Sequence, residues 1–183
     1  MISRDRYLQK VIDYTWDGQI KVITGIRRCG TSTLLFHLFY DYLLEKGVKA
    51  ESIIQLELDK RKYAKYRNPL VLAEFIETQV KDRRKNYYLF IDEIQFCYAV
   101  PDPDNVGHEI TVYDLLNELK DYENLDVYVT GSNSKMLSKD IATEFRGRAS
   151  QIQVYPLSFA EYNNYKGGSV RDNLDTYMVY GGM

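Results

Sequence analysis

Cysteine, histidine, proline and tryptophan are all scarce in this sequence of 183 residues, with two, two, four and one respectively. Cys29 and Cys97 are too few for a disulfide framework and lack paired metal-ligand spacing, so they read as reduced thiols. His37 and His108 stand alone, which gives no imidazole cluster for a metal. No apolar run approaches the roughly 18 residues of a membrane span, so no membrane partner is expected. The opening "MISRDRYLQKVIDY" has no apolar core of a signal peptide, and a cytoplasmic location is the expectation. An excess of one charge is missing too: 24 basic and 26 acidic residues leave a net charge of −2. Nucleic acid stays open as a partner, but charge does not point to it. The short basic stretches "RNPL" and "KDRRK" read as solvated faces.

The chain does contain the material of one globular domain, 45% hydrophobic and 27% charged, with enough length to enclose a core. Its tyrosines, 17 in all, read as half-buried positions. No internal repeat or low-complexity tract interrupts the pattern. Residues 18–24 ("GQIKVIT") predict a buried strand, and 32–47 a helix closed by Gly47. A second strand is expected over 52–58, then a helix over 68–85 with Asn68 as N-cap and Pro69 in the first turn. Strand 86–94, loop 96–110, helix 111–122, strand 125–131 and helix 132–145 follow. A last strand and turn over 150–159 and two helical segments complete the series. Strands separated by helix-length segments mean a parallel sheet covered on both faces. Ligands of such sheets bind at the carboxyl ends of the strands. "LDTYMVYGGM" runs into Gly181-Gly182, a pair that ordinarily precedes another element, and predicts a domain truncated at its C-terminal end.

Four stretches carry chemistry. "TGIRRCGTST" follows the first strand and opens a helix, the context of a phosphate-binding loop. Gly25 and Gly30 allow the turns that gather backbone amides. Ser32 and Thr33 begin a helix whose positive end attracts phosphate. Ser32 is placed to hold Mg²⁺. The competing reading is a tight strand-to-helix turn capped by Ser32. The position where such loops carry lysine is Thr31. Second, "YYLFIDEI" puts Asp92 at a strand end to hold a metal and Glu93 to polarise a water, or else it is a strand running into an acidic turn. Third, Thr130, Ser132 and Asn133 in "VYVTGSNS" could orient that water, or Ser132 or Asn133 could simply cap a helix. Fourth, Arg146 and Arg148 in "EFRGRAS" could project onto a neighbouring subunit's phosphoryl group, or could be solvated.

The series "VITGIRRCG", "YLFIDEIQ", "DVYVTGSNSKMLS", "TEFRGR" and "PLSFAEY" closely resembles bacterial and archaeal AAA-type P-loop ATPases that carry a C-terminal domain of unknown function. The resemblance covers nearly the whole chain, 1–183. It implies an α/β three-layer sandwich of P-loop NTPase type, with the parallel sheet of the additional-strand (AAA/RecA-like) class. It implies ATP and Mg²⁺, with Gly25, Arg28, Cys29, Gly30, Thr31, Ser32 and Thr33 around the nucleotide and Ser32 and Asp92 on the metal. Glu93 would be the catalytic carboxylate, assisted by Thr130, Asn133 and Arg148. A homo-oligomer and an unidentified protein partner go with that reading. Thr31 departs from the family pattern: its short neutral hydroxyl cannot reach the phosphates as an ammonium does. The expected function is therefore an ATP-binding AAA-type domain with impaired hydrolysis. The alternatives are a non-hydrolysing nucleotide sensor or scaffold, and a structural domain that no longer binds nucleotide.

Overall fold

The apolar runs seen in the sequence become the central strands of a five-stranded parallel sheet. The computed structural model describes residues 2–131 and 149–181. Its strands are β1 (Ile20–Gly25), β2 (Ile53–Glu57), β3 (Tyr87–Asp92), β6 (Leu125–Gly131) and β7 (Ala149–Val154). They lie in the order β2-β3-β6-β1-β7, so β6 stands between the loop strand β1 and the acidic strand β3. β1, β3 and β6 are buried along their whole length, as strands covered on both faces must be.

Helices supply the covering layers. α1 is Asp5–Asp13; α2 joins Thr31–Thr33, a π-helical stretch Leu34–Phe39, and Tyr40–Glu45; α3 is Pro69–Gln79 and α4 is Val112–Leu119. Two more, α5 (Phe159–Lys166) and α6 (Val170–Tyr180), follow β7. The two-residue alternation of the strands feeds two cores. Ile20, Val22, Leu89, Ile91, Val127 and Val129 meet Leu72, Ile76, Leu115 and Leu116 of α3 and α4 on one face. Ile23, Phe90, Tyr128 and Ile152 meet Tyr7 and Val11 of α1 and Leu34, Leu35 and Phe39 of α2 on the other. The three-layer α/β sandwich with an additional strand expected from the sequence is the fold observed. None of the helices in the described residues is long and apolar enough to cross a membrane.

Local chemistry sets the element ends. The Asn68 side chain accepts from the amides of Leu70 and Val71 with Pro69 beginning the helix, as the sequence predicts. Helix α2 closes through Gly47 at φ +85°, with Val48 N donating to Leu43 O at 3.0 Å, a Schellman closure. Three expectations need correction. The helix expected over 68–85 stops at Gln79, because "KDRRK" offers no apolar side chain to the core and its turn is tied by Asn124 Nδ2 donating to Lys85 O at 3.0 Å. The 111–122 helix ends at Leu119. The loop over 96–110 contains a small antiparallel pair, β4 (Val100–Pro101) with β5 (Glu109–Ile110). The helix expected over 132–145 lies outside the described residues.

Candidate nucleotide-binding site

β1, β3 and β6 deliver their ends to one place because they are parallel neighbours. Ile91 pairs with Val129 and Ile23 with Thr130, so Asp92, Thr130 and the loop after Gly25 emerge side by side. Gly25 is required by space. A Cβ there would lie 2.2 Å from Cys29 Sγ and 2.6 Å from the Val154 carbonyl oxygen. Gly30 is required by conformation, at φ +93°, where a side chain is strained. Arg28 also sits at positive φ, +70°, an uncommon state for a residue with a side chain.

Gly30 is the N-cap residue of α2 and supplies no side-chain cap. Ser32 is not the cap that a plain turn requires. Its hydroxyl instead donates to Asp92 Oδ1 at 3.0 Å. The Thr130 hydroxyl donates to the same carboxylate oxygen and accepts from the Glu93 amide at 3.1 Å. The loop helix, β3 and β6 therefore converge on one carboxylate. Asp92 is 5% exposed. Burial raises its carboxyl above the ordinary carboxylate value, against the opposing pull of the Thr130 and Ser32 hydrogen bonds.

Glu93 follows at φ +55°, a left-handed state for a residue with a side chain. Its carboxylate accepts from the Gln95 side-chain amide. Thr31 is half-buried at the start of α2, with its methyl turned toward Gly25, 3.3 Å from where a Cβ on Gly25 would stand. Cys29 is buried, and burial raises its thiol while the Thr31 amide pulls the other way. It lines the loop as a neutral group.

The structure adds residues that motif reading misses. Beside the loop is a cavity of about 210 Å³ lined by Ile2, Arg4, Arg28, Cys29, Gly30, Thr33 and Leu157. Ile2, Arg4 and Leu157 belong to no phosphate-loop pattern. The only sequence signal near them is the helical spacing of Tyr7 and Val11, the buried residues of α1. A larger hollow of about 740 Å³, lined in part by Tyr7, Tyr155 and Tyr165, lies off the loop. Asn133 and Arg148, with Ser132 and Arg146, are outside the described residues. Among the described residues no group of three or more His, Cys, Asp or Glu could cage a metal. Ser32 and Asp92 are hard oxygen donors, few in number, which suits Mg²⁺ completed by waters and phosphates.

A parallel sheet with the acidic strand one place removed from a glycine-bounded loop defines a P-loop NTPase fold. More narrowly, the chain belongs to the family described as an AAA domain, which matches residues 17–163. It is an AAA-type, ATPase-like domain. It is 33% identical to an uncharacterized protein of Haemophilus influenzae over 187 aligned positions, covering 100% of this chain and 44% of that protein. It is 32% identical to an uncharacterized protein of Methanocaldococcus jannaschii, covering 87% of this chain and 31% of that one. The chain thus spans less than half the length of these relatives. Among solved structures, the Walker-type ATPase of Pyrococcus abyssi superposes with a TM-score of 0.62 at 14% identity, covering 100% of this chain and 64% of that one. Cdc6p of Pyrobaculum aerophilum gives 0.57 at 12% identity, covering 94% and 49%. At these identities the likeness is one of fold.

Proposed function

We propose that this domain binds adenine nucleotide with Mg²⁺ at the loop between β1 and α2, and that hydrolysis is impaired because Thr31 stands where the phosphate-loop lysine is expected. The observation that supports this most is the meeting of Ser32, Asp92 and Thr130 through the two hydroxyls that donate to Asp92 Oδ1. Chance turns at three strand ends would not share one buried carboxylate. The loop amides and the start of α2 hold the phosphates. Ser32 and Asp92 would hold Mg²⁺, which would supply neutralisation of the charge that develops on the transferring phosphoryl group.

The chain's own residues divide the remaining work. Gly25 lets the loop close onto Cys29 and β7. Arg28, Cys29, Gly30 and Thr33 border the nucleotide, and the cavity beside them seats its non-phosphate part. Thr130, 1% exposed, fixes Asp92 and the backbone of Glu93. Glu93 polarises the attacking water once its carboxylate leaves Gln95. Asn133 and Arg148 keep the roles expected for them, water orientation and contact with a neighbouring subunit's phosphates, in a homo-oligomer. At Thr31 no ammonium reaches the β- and γ-phosphates. Loss of a hydrogen bond to a charged group costs about 1.5–3 kcal/mol. Positioning and charge stabilisation are nearly all that phosphoryl transfer asks of a protein, so turnover suffers more than binding.

Titration of a fluorescent ATP analogue, with and without Mg²⁺, tests the reading. Weak saturable binding that Mg²⁺ strengthens is expected. Absence of saturation at millimolar nucleotide, in this chain and in Thr31→Lys alike, would leave only a structural domain.

A further inference from the structure

Arg4 is a charged side chain only 5% exposed, and its guanidinium reaches three segments distant in sequence. Nη1 donates to the Cys29 carbonyl oxygen at 3.0 Å. Nη2 donates to the Tyr155 carbonyl oxygen just past β7, at 2.6 Å. Nε lies 3.0 Å from Glu161 Oε1 on α5, and the guanidinium carbon sits 4.6 Å from the Tyr7 ring centroid. Two directed hydrogen bonds to separate carbonyls, with an ion pair alongside, suit the planar fork of arginine better than the point charge of lysine. Burying such a charge is costly unless every partner is in place, so a purely space-filling role would be met better by an apolar residue.

We infer that Arg4 is a positioning residue for the phosphate loop: by holding the Cys29 carbonyl it sets the direction of the Gly30 amide, while its contacts with Tyr155 and Glu161 anchor the guanidinium itself. This inference rests on the nucleotide-binding reading of the same loop. In a trans peptide the carbonyl and the following N–H point in opposite directions. A Cys29 oxygen bound to Arg4 therefore turns the Gly30 N–H to the side of the loop away from Arg4, where an anion at the start of α2 is held. Where lysine is absent from the loop, such amides carry a larger share of the grip on phosphate. Gly30 alone would not fix this geometry, because a residue without Cβ rotates freely through positive φ.

The test compares two variants that both lose an Arg4 contact. Arg4→Lys keeps the charge and loses the fork. Glu161→Gln removes the ion-pair partner, retains an N3 side chain able to complete the helix cap with Ser158, and leaves the Cys29 bond intact. Thermal midpoints and affinity for a fluorescent ATP analogue with Mg²⁺ are measured for each, in this chain and in the Thr31→Lys background. The expected result is a fall in affinity of about tenfold for Arg4→Lys and less than about threefold for Glu161→Gln, whatever their relative midpoints. Affinity that tracks the midpoint equally in both variants, or that changes in neither, overturns the positioning role while nucleotide binding stands. If neither parent binds the analogue, the nucleotide reading itself fails and this inference with it. Should Arg4→Lys not fold, the unsubstituted chain still decides. The ¹⁵N resonances of the Arg4 side chain and the Gly30 amide should both move on nucleotide addition, and an unmoved Arg4 signal contradicts the inference.

Discussion

Replacing Gly25 by alanine adds one methyl group at the point where the phosphate loop closes on the sheet. The new carbon would stand 2.2 Å from Cys29 Sγ and 2.6 Å from the Val154 carbonyl oxygen, against the roughly 3.5–4.0 Å of comfortable contact. Neither neighbour yields easily. Val154 belongs to β7, paired in register with Gly25 itself, and the Cys29 carbonyl is held by Arg4 at 3.0 Å. Overpacking of this kind costs about 1–3 kcal/mol. For a domain of this size each kcal/mol moves the midpoint by about 2–4 °C, so differential scanning calorimetry should show a fall of about 2–12 °C. Nucleotide affinity should fall as well, because relief requires the loop to swing outward. Adding Cys29→Ala removes the sulfur clash and leaves the carbonyl clash, so the double variant should recover part of the midpoint and not all of it. A Gly25→Ala protein as stable as its parent, or a double variant no better than the single, would refute the close packing.

Asp92→Asn keeps an oxygen to accept from Ser32 and Thr130, so the fold should survive. Removing the carboxylate's charge should weaken nucleotide binding by about tenfold or more in the presence of Mg²⁺ and hardly change it without the metal. Equal losses in both conditions would take the metal role from Asp92. Glu93→Gln in the Thr31→Lys background should bind ATP like its parent and lose turnover; undiminished phosphate release would reassign the catalytic carboxylate. Burial pushes the Cys97 thiol up to about 12 and also raises that of Cys29. Both groups gain the proton more firmly on folding, so at pH 8 they remain thiols in the native state. A thiol-specific reagent should therefore react far faster in denaturant than in buffer, and equal rates would show that neither site is enclosed.

Most of the sheet was legible because β1, β3 and β6 are buried on both faces and show it as mainly apolar runs, interrupted by Lys21 in β1 and Asp126 in β6. The order of strands was not written in periodicity; it came with the family resemblance of the motifs. Gly25, Ser32 and Asp92 could be picked out because their spacing serves chemistry. What Ser32 does could not, since a cap and a carboxylate partner use the same hydroxyl. Arg4 was invisible for a different reason. Its three partners, Cys29, Tyr155 and Glu161, are distant in the chain, and an arginine near the start of a helix ordinarily faces water. The overlong helices fail at "KDRRK", where composition still favours helix but no apolar side chain remains for the next turn to bury, and after Leu119, where the chain turns into β6. Lys21 is the same lesson inverted. A lysine inside a predicted strand is fully buried here, tolerated because Asp17 at 2.7 Å and Asp126 meet its ammonium beneath the sheet.

The reading turns on Thr31, and titration calorimetry of Mg²⁺-ATP against this chain and its Thr31→Lys variant, with phosphate release followed on the same samples, tests it most directly. The position opens a ligand-facing helix turn and is not core, so the fold should be unchanged. Affinity should rise about tenfold or somewhat more, the worth of one charge-assisted contact, and turnover should rise by a larger factor. A gain in affinity alone would mark a nucleotide sensor. A folded Thr31→Lys protein that binds no more tightly and releases no phosphate would contradict the assignment of Thr31 as the lesion in an otherwise complete site.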